Sequence, residues 1–154
     1  MLTEQERRLI ANEYHGVTSQ VQSHGRTGLK NLGNSCYMNS IVQSLSFNSH
    51  LTSYFFSGNF AKHVNPKNKF GSGGMVVREW FYLNYLLWSQ QYAYLVPQRF
   101  KYIVGQLQQT YLGTQQQDAH EFLIFLLDSL HEDLNQVCVR RIFRSLSESR
   151  RCLL

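Results

Sequence analysis

The sequence predicts a mainly α-helical domain. Apolar side chains recur at helical spacing in residues 36–47, 97–107 and 119–134, as expected for helices that bury one face. No stretch shows the clear period-two alternation that a half-buried strand would produce. Clusters of turn-forming residues separate the helical segments. We therefore expect packed helices with little β-structure.

The N-terminal residues predict a short helix followed by a linker. Residues 3–15 suit an amphipathic helix, with Thr3 as its N-cap and the acidic Glu4 and Glu6 in its first turn. Residues 16–27 are rich in glycine, serine and glutamine, which is typical of a linker. We expect residues 1–27 to form a leader and linker ahead of the domain proper.

Cys36 lies where a turn becomes a helix. Gly33 and Asn34 precede it and favour a turn, and the helix then extends over about 36–47. Unpaired amides and aligned peptide dipoles at a helix N-terminus favour the thiolate, which is the nucleophilic form of cysteine. Asn31, five residues upstream, could place a side-chain N–H donor beside the sulfur's target, as an oxyanion hole requires. The alternative is that Cys36 is a small, buried apolar residue in the first turn of a helix.

The middle of the chain predicts a loop over 57–74, rich in glycine, and a strongly apolar segment over 75–88. The aromatic residues of that segment favour a core over a binding platform; they are Trp80, Phe81, Tyr82, Tyr85 and Trp88. Tyr92 and Tyr94 flank a stretch without regular pattern. Pro97 is expected to open a helix through about Leu107. Its predicted buried face consists of Phe100, Ile103, Val104 and Leu107.

The last predicted helix extends from Ala119 to about Leu134. Its predicted inward residues are Phe122, Leu123, Leu126, Leu127 and Leu130. Asp118 stands at the N-cap position and Glu121 follows three residues later, which is a capping-box arrangement. That arrangement alone explains both carboxylates without any ligand.

Two stretches resemble motifs of the ubiquitin-specific protease family. Residues 28–43, GLKNLGNSCYMNSIVQ, resemble the cysteine box of that family, and residues 116–123, QQDAHEFL, resemble its glutamine–aspartate box. Both motifs are long and occur in the family order, so together they are far more specific than a lone short motif. The resemblance covers residues 28–136 and marks them as the N-terminal part of a catalytic domain.

The resemblance implies the helical, thumb-like lobe of a papain-like cysteine protease, without the β-rich half that faces it. It also implies thiol-dependent cleavage of ubiquitin from substrate lysines. Cys36 would be the nucleophile, Asn31 the oxyanion donor, and Gln116, Asp118 and Glu121 would lie beside the tail of ubiquitin. The implied partners are ubiquitin, ubiquitinated proteins and adaptor proteins. The resemblance implies no cofactor and no metal, and no Cys-x-x-Cys pair is present.

The catalytic histidine of the family, and the Asp or Asn that orients it, have no counterpart in this sequence. Six histidines are present, but neither His120 nor His131 matches the base of the family. A cysteine without a positioned base is weakened, because the base activates the thiol and protonates the leaving amine. We expect a domain truncated before its base, and therefore inactive or nearly so alone. Residues 137–154 show no family pattern and suggest an unrelated basic tail from an alternative or out-of-frame end.

The formal net charge of +5 is unevenly distributed. Residues 138–154 hold five arginines against one glutamate, whereas the remaining residues have ten basic and nine acidic side chains. This distribution favours a solvated tail over a dedicated nucleic-acid site. No apolar stretch reaches the roughly 20 residues of a membrane-spanning helix. Three cysteines without disulfide spacing, and no apolar N-terminal run, predict the cytoplasm or the nucleus.

Two functions of other classes remain open from the sequence. The chain could be a non-catalytic module that binds ubiquitin or adaptor proteins of a related enzyme. Alternatively, the arginines of residues 138–154 could bind polyanions without sequence preference.

Overall fold

The computed structural model describes residues 3–18 and 25–136. Within these ranges the chain forms seven α-helices, one short 3₁₀ helix and three short strands. In chain order they are α1 (Glu4–Glu13), β1 (Val17–Thr18), β2 (Gly28–Leu29), α2 (Cys36–Ser46), α3 (Ser49–Phe56), α4 (Phe60–His63), α5 (Met75–Leu87), β3 (Tyr92–Leu95), α6 (Gln98–Leu107), the 3₁₀ helix (Gln109–Tyr111) and α7 (Ala119–Leu134). The prediction of a mainly helical fold is confirmed.

Helix α5 lies at the centre of the fold and packs against α3, α6, α7 and β3. Its inward residues are fully buried because both sides of the helix are covered; they include Val76, Val77, Trp80, Leu83 and Leu87. Helix α2 packs against α7, so the two motif-bearing helices are neighbours. The aromatic residues Phe81, Tyr82, Tyr85 and Trp88 are partly buried and pack against this core, as predicted.

A carboxylate from α7 caps the N-terminus of α5. Asp133 is fully buried and accepts hydrogen bonds from the amides of Ser72, Gly74 and Val77, and from the Ser72 hydroxyl. Gly74 has a φ of +86°, and a Cβ there would lie 2.5 Å from Cγ1 of Val64. Glycine is therefore required at this position on two grounds. The start of the central helix thus depends on a residue about sixty positions away.

Helix α1 is confirmed, and it is joined to the core. Thr3 caps it and forms a reciprocal capping box with Glu6. The hydroxyl of Tyr14 donates a 2.9 Å hydrogen bond to the buried carboxylate of Glu79 on α5. Arg99 of α6 pairs with the same carboxylate at 2.8 Å and also with Glu13 of α1. This network holds the N-terminal helix on α5 and α6.

The small sheet was not predicted. Its strand order is β1-β3-β2, with β1 antiparallel and β2 parallel to β3. Residues 92–95 are therefore a strand rather than an irregular stretch, and part of the predicted linker is β1. These strands have two to four residues, which is too short for an alternating pattern to appear. Their stability comes from hydrogen bonds to distant residues, as between Lys30 N and Leu95 O at 2.8 Å.

The predictions for α2, α6 and α7 agree with the structure to within a residue or two. The prediction of a buried position is wrong for two residues: Leu107 is 39% exposed and Leu127 is 42% exposed. Both lie at the margin of an apolar stripe, where no element of the described part of the chain buries them. The predicted loop over 57–74 contains the single-turn helix α4, and α3 was missed. No helix in residues 3–18 and 25–136 combines the length and apolarity needed to cross a bilayer.

Candidate active site

Cys36 is the first residue of α2, and its side chain is exposed and free. The residue before it, Ser35, does not cap the helix. Its hydroxyl instead accepts from Leu32 N at 2.8 Å and donates to Oδ1 of Asn31 at 3.1 Å. Among the described residues, the first amides of α2 have no side-chain acceptor, which leaves the helix N-terminus available to a developing negative charge. The alternative of a buried cysteine is wrong.

Asn31 organises the turn that precedes Cys36. Its Oδ1 accepts from Gly33 N at 3.1 Å, from Ser35 N at 3.0 Å and from the Ser35 hydroxyl. Three donors on one oxygen assign the orientation of the amide, because the reversed amide would place N–H against N–H. The Nδ2 group donates no hydrogen bond to any residue of the described ranges. The turn thus holds one exposed N–H₂ donor five residues before the cysteine.

The left-handed residues Gly33 and Asn34 give the turn its shape, with φ values of +88° and +50°. Glycine and asparagine are the residues that adopt this conformation at least cost. The sequence prediction of a turn here is confirmed.

Polar side chains of α2 fasten the helix to the strand beside it. Asn39 donates from Nδ2 to the carbonyls of Leu29 and Lys30 at 3.3 and 3.2 Å. Gln43 donates from Nε2 to Thr27 O at 2.9 Å. Neither residue was predicted to have a role; the available signal was two amide side chains spaced one turn apart on a helix that is otherwise largely apolar.

Asp118 caps α7, as predicted. Its Oδ1 accepts from the amides of His120 and Glu121 at 2.7 and 3.1 Å, and these bonds lower the pKa of the Asp118 carboxyl. The reciprocal half of a capping box is absent, because the Glu121 carboxylate does not accept from the Asp118 amide. The side-chain carboxylate of Glu121 has no hydrogen-bond or ion-pair partner within residues 3–18 and 25–136. Gln116 is exposed and likewise unbonded through its side chain there.

The two motifs meet in space. Nδ2 of Asn34 donates to the carbonyl of Thr114 at 3.0 Å, which joins the cysteine turn to the loop that leads to Gln116. Behind this contact, the ring of Tyr37 on α2 packs edge-on against Phe122 of α7, with ring centroids 5.4 Å apart. The structure therefore brings Cys36 and Asn31 onto the same side of the fold as the start of α7.

No described histidine hydrogen-bonds to the sulfur of Cys36. His63 bonds instead to the hydroxyl of Tyr54, at 2.8 Å from Nδ1, and His24 lies outside the described residues. Across residues 3–18 and 25–136, no three metal-ligating side chains converge to hold an ion. The site therefore combines an exposed thiol with, five residues earlier, a side-chain amide whose N–H₂ group is unbonded within the described residues.

Comparison with known proteins gives matches that extend over both motifs. The family model for ubiquitin carboxyl-terminal hydrolase matches residues 27–152. Ubiquitin carboxyl-terminal hydrolase 15 of Xenopus tropicalis is 41% identical over 125 residues, which cover 81% of this chain and 13% of that protein. The human protein of that name is 42% identical over 113 residues, and ubiquitin carboxyl-terminal hydrolase 4 of Bos taurus is 43% identical over 113; each match covers 73% of this chain and 12% of the relative. The chain thus spans about an eighth of the length of these relatives.

Solved structures show the same fold. The SAGA DUB module of Ubp8, Sgf11, Sus1 and Sgf73 bound to monoubiquitin matches with a TM-score of 0.56 at 23% identity, over 76% of this chain and 26% of that chain. The module bound to ubiquitin aldehyde matches with a TM-score of 0.50 at 21% identity, over 90% of this chain and 34% of that chain. The predicted helical lobe of a papain-like protease is confirmed. The family match also includes residues 137–152, which were set apart as a tail on the basis of their pattern and lie outside the described residues.

Proposed function

This chain belongs to the ubiquitin carboxyl-terminal hydrolase family, and we propose that it carries the nucleophile half of a cysteine deubiquitinase site. The observation that supports this most strongly is the Asn31 turn. Three hydrogen bonds to Oδ1 hold the amide so that Nδ2 remains an unused donor, and the cysteine follows at an uncapped helix N-terminus. A nucleophile next to preoriented N–H donors is the arrangement that acyl transfer requires.

In the proposed reaction, Sγ of Cys36 attacks the carbonyl carbon of the last glycine of ubiquitin. Asn31 Nδ2 and the Cys36 amide donate to the oxyanion that forms. Collapse of this intermediate breaks the C–N bond to the substrate lysine, whose nitrogen leaves as an amine after taking up the proton removed from the thiol. Water then attacks the thioester, which releases ubiquitin as a carboxylate and returns the Cys36 thiol.

The residues at the start of α7 are proposed to bind the tail of ubiquitin, which carries arginines. Oδ1 of Asp118 is already occupied by two amides, so this residue offers an arginine only its second oxygen. Glu121 offers a whole carboxylate, which can accept a bidentate arginine. Gln116, which is exposed in the preceding loop, is proposed to bond the tail backbone. Among the three residues, we therefore assign the strongest tail contact to Glu121.

The proton transfers need an imidazole, and no described histidine contacts Cys36. We propose that a general base from outside the described residues completes the site, and that this chain alone turns over slowly or not at all. Isolated nucleophiles in comparable catalytic units lose several orders of magnitude in rate. Covalent capture of an electrophile at Cys36 needs less assistance, because no leaving group has to be protonated.

The test uses ubiquitin that carries a C-terminal vinyl sulfone, incubated with the full 154-residue chain. Addition of the thiolate to the vinyl group forms a stable thioether, which mass spectrometry detects as an adduct. Cys36→Ala is the direct control, and Ser40→Ala, on the same helix, is a matched neutral substitution. We expect an adduct with the wild type and with Ser40→Ala but none with Cys36→Ala. A folded wild-type chain that forms no adduct at saturating ubiquitin would overturn the proposal.

A non-catalytic role is the second candidate, favoured because no histidine of the described residues hydrogen-bonds to Cys36. In this role the chain binds the ubiquitin tail, or adaptor proteins such as those that accompany the SAGA module, without hydrolysis. Ubiquitin affinity that is unchanged in Cys36→Ala, combined with no turnover when a full relative is active in parallel, would support it. Location in the cytoplasm or nucleus, and polyanion binding by residues 137–154, stay predictions.

A further inference from the structure

We infer that Lys101 is a positioning residue for the Cys36 site. It lies on α6, does not belong to either motif, and acts through the loop between the 3₁₀ helix and α7. The predicted effect of Lys101 on the rate of adduct formation rests on the proposed function. Its predicted effect on the structure of the turn can be tested separately.

Lys101 is a buried cation with all three of its protons engaged. The residue is 8% exposed, and its Nζ donates to the carbonyls of Tyr111, Leu112 and Gly113 at 3.0, 3.0 and 2.5 Å. An ammonium group has three donors and no acceptor, so these carbonyls account for its full capacity. Burial lowers the pKa of Lys101 because it disfavours the charged form.

The loop is pressed directly against α6 where the ammonium binds it. A Cβ on Gly105 would lie 2.8 Å from the Cα of Leu112, so helix and loop backbones are in contact with no side chain between them. Three successive carbonyls that point toward one cation set the path of the chain from Tyr111 to Gly113. Without the cation, the repulsion between their parallel dipoles would favour rotation of these peptides toward water.

The same loop supports the oxyanion turn. Thr114, the next residue, accepts the hydrogen bond from Nδ2 of Asn34, and Asn34 lies in the turn that Asn31 organises. Leu32 of this turn, Lys101 and Leu112 also line one surface cavity of about 370 Å³. Contacts therefore lead from the ammonium through the loop to the residues that flank the Asn31 amide.

The loop also sets the other side of the site. Only four residues separate Gly113 from Asp118, so the position of Gln116 depends on where Lys101 holds the chain. One buried cation thus determines the placement of both the oxyanion donor and the tail-binding residues. An apolar side chain of equal length would fill the same space but could not organise the carbonyls.

The experiment compares the full chain with Lys101→Met, which keeps the length of the side chain and removes the donors. Lys101→Arg is the conservative rescue, and Lys62→Met, on an exposed residue of α4, is the matched control for loss of one charge. Two readouts are taken: amide hydrogen exchange at Gly33 and Ser35 by NMR, and the rate of adduct formation with ubiquitin vinyl sulfone at saturation. Alkylation of Cys36 by iodoacetamide reports whether the free thiol itself has changed.

We expect Lys101→Met to accelerate exchange at Gly33 and Ser35, and to slow adduct formation at saturation by about 10- to 100-fold, the cost of a misplacement near 1 Å. Alkylation by iodoacetamide should stay unchanged, because that small reagent does not have to be bound and positioned by the turn or by the loop. Lys101→Arg should recover most of the rate, and Lys62→Met should match the wild type.

Unchanged exchange at Gly33 and Ser35 in a folded Lys101→Met chain would overturn the inference, whatever the adduct rate. If that variant does not fold, the Asn34→Gly variant is the deciding test. It keeps the left-handed turn and removes the hydrogen bond to the carbonyl of Thr114. Faster exchange at Ser35 in Asn34→Gly supports the inference, and wild-type exchange overturns it. A wild-type chain that forms no adduct would refute the proposed function but not the inference about Lys101. The hydrogen-exchange data would still test that inference.

Discussion

Replacing Asn31 by aspartate separates the two roles that the structure gives to this side chain. Oδ1 accepts three hydrogen bonds that build the turn, whereas Nδ2 is the unused donor. Asn31→Asp keeps an oxygen in the Oδ1 position and replaces the donor by a second acceptor. Asn31→Ala removes both. The pair of variants therefore distinguishes a catalytic donor from a purely structural asparagine.

The magnitudes follow from this geometry. Loss of one oxyanion-hole donor costs about 10²- to 10³-fold, or about 2.7–4 kcal/mol, and the added negative charge of aspartate acts in the same direction. Each of the three bonds to Oδ1 contributes about 0.5–1.5 kcal/mol to stability, toward the lower end here because Asn31 is exposed. Asn31→Asp should therefore unfold near the wild-type denaturant concentration, whereas Asn31→Ala should be less stable by about 1–3 kcal/mol.

Affinity for ubiquitin aldehyde is the suitable assay, because it requires no leaving group and no general base. Sγ of Cys36 adds to the aldehyde carbon, and the thiol proton moves to the resulting oxygen, so the adduct resembles the tetrahedral intermediate. Ordinary ubiquitin, with its C-terminal carboxylate, measures the non-covalent contribution. The ratio of the two affinities isolates the interaction with the tetrahedral oxygen.

We expect the ratio to fall by about 10²- to 10³-fold in Asn31→Asp, with little change in the stability of the chain. A variant that is folded and binds the aldehyde with the wild-type ratio would refute the assignment of Nδ2 as the oxyanion donor. In that case Asn31 would be a turn-forming residue only, and the backbone amides of α2 would have to hold the oxyanion.

Three further predictions concern the tail site, the central helix and the N-terminal helix. Glu121→Gln should weaken binding of ubiquitin by about tenfold, since charge-assisted hydrogen bonds contribute about 1.5–3 kcal/mol. Isothermal titration calorimetry with ubiquitin measures this change, with Asp128→Asn, further along α7, as the control variant. Asp133→Ala should lower the free energy of unfolding by at least about 3 kcal/mol, because buried amides at the start of α5 lose their acceptor. Denaturant titration measures this change. A loss below about 1 kcal/mol would contradict the capping role. Burial and the neighbouring Glu79 carboxylate raise the pKa of Tyr14 well above its ordinary value. The stabilising contribution of the protonated Tyr14 hydroxyl is therefore complete below about pH 10, and it is lost as the pH rises through the folded-state pKa. Tyr14→Phe should therefore show a shallower loss of stability above about pH 10 in denaturant titrations, and a slope identical to that of the wild type would argue against this coupling.

Helices α2, α6 and α7 could be predicted because their signals are local. Pro97 precedes α6 and Asp118 caps α7 within three residues, and apolar residues at helical spacing mark the buried faces. The strands lack such signals because they have two to four residues each. β3 acquires its partners from Val17 and Gly28, more than sixty residues earlier. Pairing over that distance leaves no mark within a short sequence window.

The candidate site likewise has features that are local in sequence and features that depend on distant residues. The hydrogen bonds that shape the cysteine turn join residues no more than four positions apart. A short motif therefore specifies the turn, and the proposed nucleophile and donor could be predicted from residues 28–43. The groups that hold this turn in the fold are distant in sequence: the Asn34 amide reaches Thr114, and Lys101 secures the loop beside it. A lysine within an amphipathic helix is ordinarily a solvated residue, and its burial becomes apparent only when three carbonyls surround it. A motif can therefore reveal which atoms react, whereas the residues that place those atoms emerge only from the tertiary contacts.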